Sequence, residues 1–204
     1  MQRLPTDISF TDASGLGAGG VWIDPSKDGR NYVWRLPWPD DIQTDLVSFD
    51  NLQGRITNSD LELAALVLQE STLPFICPSP AWRAPFTGSD NTPTVAWSFQ
   101  ESLTINLVVA YLFRIWALVN RQFCINPSVF YHPGHLNTMA DDASRKFELD
   151  LTDFLSTFSS TYSPLQSPGS WHIFHPPSEI TSFVISALRK HALEADTSPV
   201  TRLP

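Results

Sequence analysis

The chain has 204 residues, with 13 Lys and Arg against 21 Asp and Glu, a net charge of −8. Hydrophobic residues make up 42% and aromatics 12%, which excludes wholesale disorder, and two cysteines, Cys77 and Cys124, fit neither a disulfide framework nor a zinc cluster and are expected as reduced core thiols. The acidic balance argues against a basic nucleic-acid footprint, unless the acids gather around divalent cations that cancel them locally.

The first ten residues, MQRLPTDISF, lack the apolar run of a signal peptide. Asp7 to Ala13 alternates apolar and polar as a strand does. GGVWIDP and NYVWRLPW follow across a turn at PSKDGR, so three short runs predict an antiparallel meander. In TNSDLELAALVLQEST, Leu61, Ala64, Ala65 and Leu68 recur at helical spacing, with Thr57, Asn58 or Ser59 as N-cap and Pro74 as the expected end. WRAPFTGSDNTPTVAWSF predicts a short strand turning into a helix. An apolar helix is expected from about Glu101 to Arg121, buried because Asn106 and Arg114 interrupt it and it is too short to span a bilayer. NPSVFYHPGH predicts a last strand and NTMADDASRKFELD a further helix. The order implies an α/β fold with a mixed sheet covered by helices.

From Leu151 the composition turns Ser/Thr/Pro-rich, which predicts a division into a domain at 1–150 and a linker with an amphipathic helix at 151–204. That helix, in PPSEITSFVISALRKHALEA, groups Ile180, Phe183, Val184, Ala187 and Leu188 on one face behind a Ser178 cap, and it should dock on the core or on a partner. His172 and His175 are expected in a loop. Trp22, Trp34, Trp38, Trp97 and Trp116 are expected as packing residues.

Four acids stand at strand ends and on adjoining helices: Asp12 on the first strand, Glu62 on the first long helix, Asp90 where a strand turns into a helix, and Asp141 or Asp142 near the start of the last helix of the first unit. Acids placed so can converge on one point, where bare carboxylates repel and raise one another's pKa. With two Mg²⁺ ions about 3.5–4 Å apart the same cluster is a hydrolytic centre.

Taken in order, FTDASGLGAGGVW, SDLELAAL, GSDNTPTVAW and YHPGHLNTMADDASR resemble the ribonuclease H domain of retrotransposon-type reverse transcriptases, over about Ile8 to Lys146. The resemblance implies an RNase H-like five-stranded mixed sheet, three antiparallel strands then two parallel, flanked by helices. It implies endonucleolytic hydrolysis of the RNA strand of RNA–DNA hybrids with two Mg²⁺ ions, Mn²⁺ substituting. Asp12, Glu62, Asp90 and Asp141 match the metal-binding acids, Asp141 because it stands four residues before Arg145. Asp142 is the reserve for it and Asp60 the reserve for Glu62. His135 matches the mobile histidine that helps product or proton leave, with His132 as competitor. Gly15, Gly17, Gly19 and Gly20 are expected to let the first hairpin turn tightly and to leave room for a nucleic-acid backbone. Ser14 and Asn91 either orient waters or the 2′-hydroxyl, or cap turns.

SFQESLTIN, where cellular relatives carry a basic protrusion, offers no lysine or arginine. Weak grip by this unit alone is the expectation, with the hybrid held by a reverse transcriptase polymerase domain in the same polyprotein or in trans, inside the cell and away from membranes. The extension then reads as a connector to a following domain. The competing class is a non-catalytic connector or decayed retroelement fragment that keeps the fold without the reaction. Proofreading-type exonucleases place an acid two residues after the first aspartate, where this chain has Ser14. Integrase-type cores end their acid set in a helical Glu, where this chain has Asp141.

Overall fold

The computed structural model describes residues 7–23, 30–78, 82–99, 106–162 and 170–190. Strands β1 (Asp7–Ala13), β2 (Gly17–Ile23) and β3 (Arg30–Pro37) form the expected antiparallel meander. After a short helix α1 (Asp40–Thr44) and the long α2 (Asn58–Ile76), strand β4 (Pro85–Ser89) joins the other side of β1 in parallel. Helices α3 (Thr92–Phe99) and α4 (Leu107–Phe123) lead to β5 (Ser128–Tyr131), parallel to β4. The sheet is therefore mixed, antiparallel and then parallel, as expected, but it has six strands where five were expected. After α5 (Thr138–Arg145) and α6 (Leu151–Thr161), β6 (Ser170–Ile173) pairs with β3, giving the order β5-β4-β1-β2-β3-β6.

Helix α2 starts at Thr57, whose side chain accepts from Asp60 N while Asp60 reaches back to the Thr57 backbone, a capping box. Asp60 is thereby engaged at the helix start. The sequence pattern assigned α2 one apolar face, yet every residue from Asp60 to Leu73 is buried. The reason is its place in the layers: β1 and β2 cover one side, and α4 and α7 (Ser178–Leu188) the other. Pro74 does not end α2, which continues to Ile76 and closes with Cys77 N donating to Leu73 O. Only the last turn loses a hydrogen bond to the proline, and burial holds the rest.

Helix α4 begins at Leu107 and not near Glu101. Asn106 caps it by accepting from Val108 N and Val109 N, and residues 100–105, with most of SFQESLTIN, lie outside the described residues. Residues 24–29, where most of the expected PSKDGR turn falls, and residues 163–169 and 191–204 also lie outside them.

The described part of the expected linker packs on the same body. Phe154 and Phe158 of α6, with Tyr162 just after it, share a buried cluster with Val21, Val33, Ala143 and Trp171. In α7, Val184, Ala187 and Leu188 enter the core as their spacing implies, whereas Phe183 is exposed and Ile185 is buried in its stead. Ser178 is the first helical residue, and no side chain caps α7. His172 lies on strand β6, against Tyr32, and not in a loop. Cys77 is exposed and Cys124 half-buried, so neither is the core thiol expected, although both are free. Trp22, Trp34, Trp38 and Trp116 are buried, and Trp97 packs partly buried against the core.

The glycines of β2 do not clear a path for nucleic acid; the protein itself fills the space beside them. A Cβ on Gly19 would stand 2.5 Å from the Ala143 carbonyl carbon, one on Gly17 2.3 Å from the Phe147 ring, and one on Gly20 2.1 Å from Gln69 Oε1. Gly15 alone lies in the hairpin turn, with Leu46 3.2 Å from the same construction. Gly19→Ala should destabilise the fold by about 1–3 kcal/mol in chemical denaturation, because the atoms it meets are helix backbone and cannot turn aside.

Between α2 and the sheet runs a buried polar row: Trp34 donates to Gln69 Oε1, Trp22 to Thr72 Oγ1, and Thr87 to Glu70 Oε1. Burial pushes the Glu70 carboxyl up to about 8, above its ordinary 4.5, against the lowering effect of Thr87. Folded protein thus holds a proton that unfolded protein releases above pH 4.5. The stability from this group is complete below that pH and is lost progressively as pH rises towards 8. Glu70→Gln should flatten this part of the pH profile of Tm, read by thermal melts from pH 5 to 9.

Candidate active site

Three elements deliver carboxylates to one point at the ends of β1 and β4. Asp12 comes from β1, Glu62 from the second turn of α2, and Asp90 from the turn into α3. One oxygen from each lies within 4.8 Å of the others. Asp12 and Glu62 are buried, and Asp90 is half-buried. Glu62 Oε2 is buried without a hydrogen-bond partner, while the Ala13 backbone hydrogen bond favours the ionised carboxylate.

Helix α5 closes the site. Asn137 Nδ2 donates to Thr11 O at its start. At its end Ser14 Oγ donates to Ser144 O at 2.6 Å, and Arg35, stacked between Phe147 and Phe154, donates to Lys146 O. Held so, α5 brings Ser144 Oγ onto Asp12 Oδ2 as a donor and Arg145 Nη2 to 3.7 Å from the same oxygen. Arg145 Nε also lies 2.6 Å from Asp141 Oδ1.

Asp141 thus stands outside the triad, turned to Arg145, but close enough for its charge to bear on Asp12. Asp142 faces elsewhere, to Lys146 Nζ at 2.6 Å and the Tyr162 hydroxyl at 3.0 Å. His135 is exposed in a single 3₁₀ turn, Gly134–Leu136, and a Cβ on the preceding Gly134 would stand 2.6 Å from Asp90 Oδ2. His132 is instead half-buried, its ring 4.7 Å from that of Phe10. Ser14 and Asn91 act as caps: Ser14 Oγ accepts from Leu16 N in the hairpin, and Asn91 Oδ1 accepts from Thr94 N at the start of α3.

Burial raises Asp12 to about 6; Ser144 and Arg145 oppose the rise, and Asp90 and Asp141 add to it. Glu62 is pushed well above its ordinary range, first by burial and then by Asp12 and Asp90. Dehydrated like charges at such spacing favour protonation or a cation. An all-oxygen donor set with an unpaired buried carboxylate oxygen fits a hard divalent ion such as Mg²⁺ or Mn²⁺.

Sequence spacing marked the three acids that meet. It did not mark Ser144 as the donor to Asp12, although a hydroxyl three residues after Asp141, one turn on in the helix, was the available signal.

The strand order and the helices on both faces agree with an RNase H-like fold. No family model and no curated protein matches the sequence. Among solved structures the chain is similar to LC11-RNase H1 in complex with an RNA/DNA hybrid, at 16% identity and a TM-score of 0.45, covering 67% of this chain and 92% of that one.

If the triad binds a divalent ion, Mg²⁺ at a hundred times its Kd should stabilise the protein by about 2.7 kcal/mol. Asp90→Asn should lose most of that increment, as thermal melts with and without Mg²⁺ would show.

Proposed function

We propose that this chain is a metal-dependent endonuclease that hydrolyses the RNA strand of RNA–DNA hybrids, and that it serves as the ribonuclease H domain of a retroelement reverse transcriptase polyprotein. The observation that carries the reading is the meeting of Asp12, Glu62 and Asp90, drawn from three separate sequence motifs, around the unpaired Glu62 oxygen. The order of those motifs supplies the substrate class, and the hybrid bound by LC11-RNase H1 accords with it.

Asp12, Glu62 and Asp90 would hold the metal, with Asp141 as a fourth ligand once its carboxylate leaves Arg145. When bound, Mg²⁺ supplies Lewis-acid activation of water and neutralises charge that builds on the phosphate. The chain's own residues do the rest. Ser144, by donating to one Asp12 oxygen, would keep the carboxylate oriented for the ion. The Thr57 cap and the burial of α2 hold Glu62 in place without a flexible loop. His135, exposed in the turn whose Gly134 lies against Asp90, would carry a proton to the departing product.

A net charge of −8 gives the unit little general attraction for a polyanion. The polymerase domain of the same polyprotein is the partner that would supply grip.

Cleavage of a labelled RNA–DNA hybrid with Mg²⁺ or Mn²⁺, beside Asp90→Asn, tests the reading. The expected outcome is cutting of the RNA strand, reduced at least a hundredfold in the variant, on the order of the loss of one essential electrostatic group. No cutting, even with a reverse transcriptase domain in cis, would assign the fold to a non-catalytic connector.

A further inference from the structure

Among the described residues, Arg145 is the cation that reaches the carboxylate cluster. Its guanidinium bridges Asp12, at 3.7 Å, and Asp141, at 2.6 Å, on one side of the site. Glu62 Oε2, in the same cluster, is buried with no hydrogen-bond partner. The Asp12 side chain is 3% exposed, whereas that of Arg145 is 50% exposed, so the acid cannot move away but the base can. A long side chain with half its surface in water has an alternative position available at little cost.

We infer that Arg145 is a built-in counterion that competes with divalent cations for the Asp12–Asp141 side of the centre. The inference rests on the carboxylates being a metal site, as proposed above. In the metal-free protein the guanidinium offsets the repulsion among acids whose water has been removed. A cation that takes the Asp12 and Asp141 oxygens must displace it, and Arg145 then swings out towards solvent. The side chain therefore lowers affinity at the Asp12 and Asp141 oxygens, where its hydrogen bond and ion pair must be given up. It is a positioning residue: it sets how the carboxylates are held before metal arrives.

Mn²⁺ titration by calorimetry on the full chain, with Arg145→Gln and Arg145→Lys, tests this. Removing the charge should tighten Mn²⁺ binding about tenfold, the scale of one charged hydrogen bond no longer broken on entry. Arg145→Lys, which keeps the charge, should stay within about twofold of the unaltered protein. Arg145→Gln should also lower Tm without metal and recover it with Mn²⁺, whereas a purely structural role would lower Tm under both conditions. Unchanged or weaker Mn²⁺ binding in Arg145→Gln, with the unaltered protein binding normally, would overturn the inference alone. Absence of Mn²⁺ binding by the unaltered protein would overturn it together with the metal-centre reading.

Discussion

The contact on which the rest depends is the close seat of α5 on β2. Gly17 and Gly19 have no side chain, so the helix backbone at Ala143 and the ring of Phe147 come down where a Cβ would stand. Glycine weakens a strand, and its presence twice on one face of β2 is explained by what that closeness permits. Only a helix at this depth brings Ser144 onto Asp12 and the Arg145 guanidinium across Asp12 and Asp141. Arg35, Ser14 and Asn137 then fix the helix along its length, each through a backbone carbonyl.

On the opposite face, α2 is enclosed by the sheet and by α4 and α7, and Gln69 and Thr72 find their partners inward. Gln69 and Thr72 meet tryptophan N–H groups, so the helix is located by specific hydrogen bonds as well as by apolar contact. Glu62, one turn beyond the cap, inherits that rigidity. Three carboxylates thus arrive from a strand end, an enclosed helix and a strand-to-helix turn, none of which can retreat to relieve the repulsion. The cost of gathering them is carried by the fold, and dehydrated like charges so close together favour protonation or a cation.

Arg145 does not meet the acids equally. Its guanidinium stands directly against Asp12 and Asp141, whereas Glu62 Oε2 has no hydrogen-bond partner and feels Arg145 only through space. Asp142 is held apart by Lys146 and Tyr162, so two adjacent acids on one helix have separate environments: one turned to the centre's counterion, the other to α6. The described part of the C-terminal region has a structural share in this arrangement, because α6 supplies Tyr162 and Phe154, which steady α5 and Arg35.

Local signals sufficed for much of this. Alternation marked β1, the cap candidates Thr57, Asn58 and Ser59 marked the start of α2, and acids at element ends marked Asp12, Glu62 and Asp90, because strand period, capping chemistry and chain reversal are properties of a few neighbouring residues. The sequence by itself therefore determined the order of the main elements as far as α5, though not α1, α6 or β6, and the three acids that meet. Tertiary structure decided what depends on distant partners. It set which side of α2 is covered, since a helix enclosed all round has no single apolar stripe to read. It also made β6 a sixth strand beside β3, let Pro74 stay within α2, and turned Phe183 outward and Ile185 inward. The glycines show the division best: their spacing in sequence fits a turn, and only the approach of α5, more than a hundred residues further along the chain, reveals that their missing side chains make room for a helix.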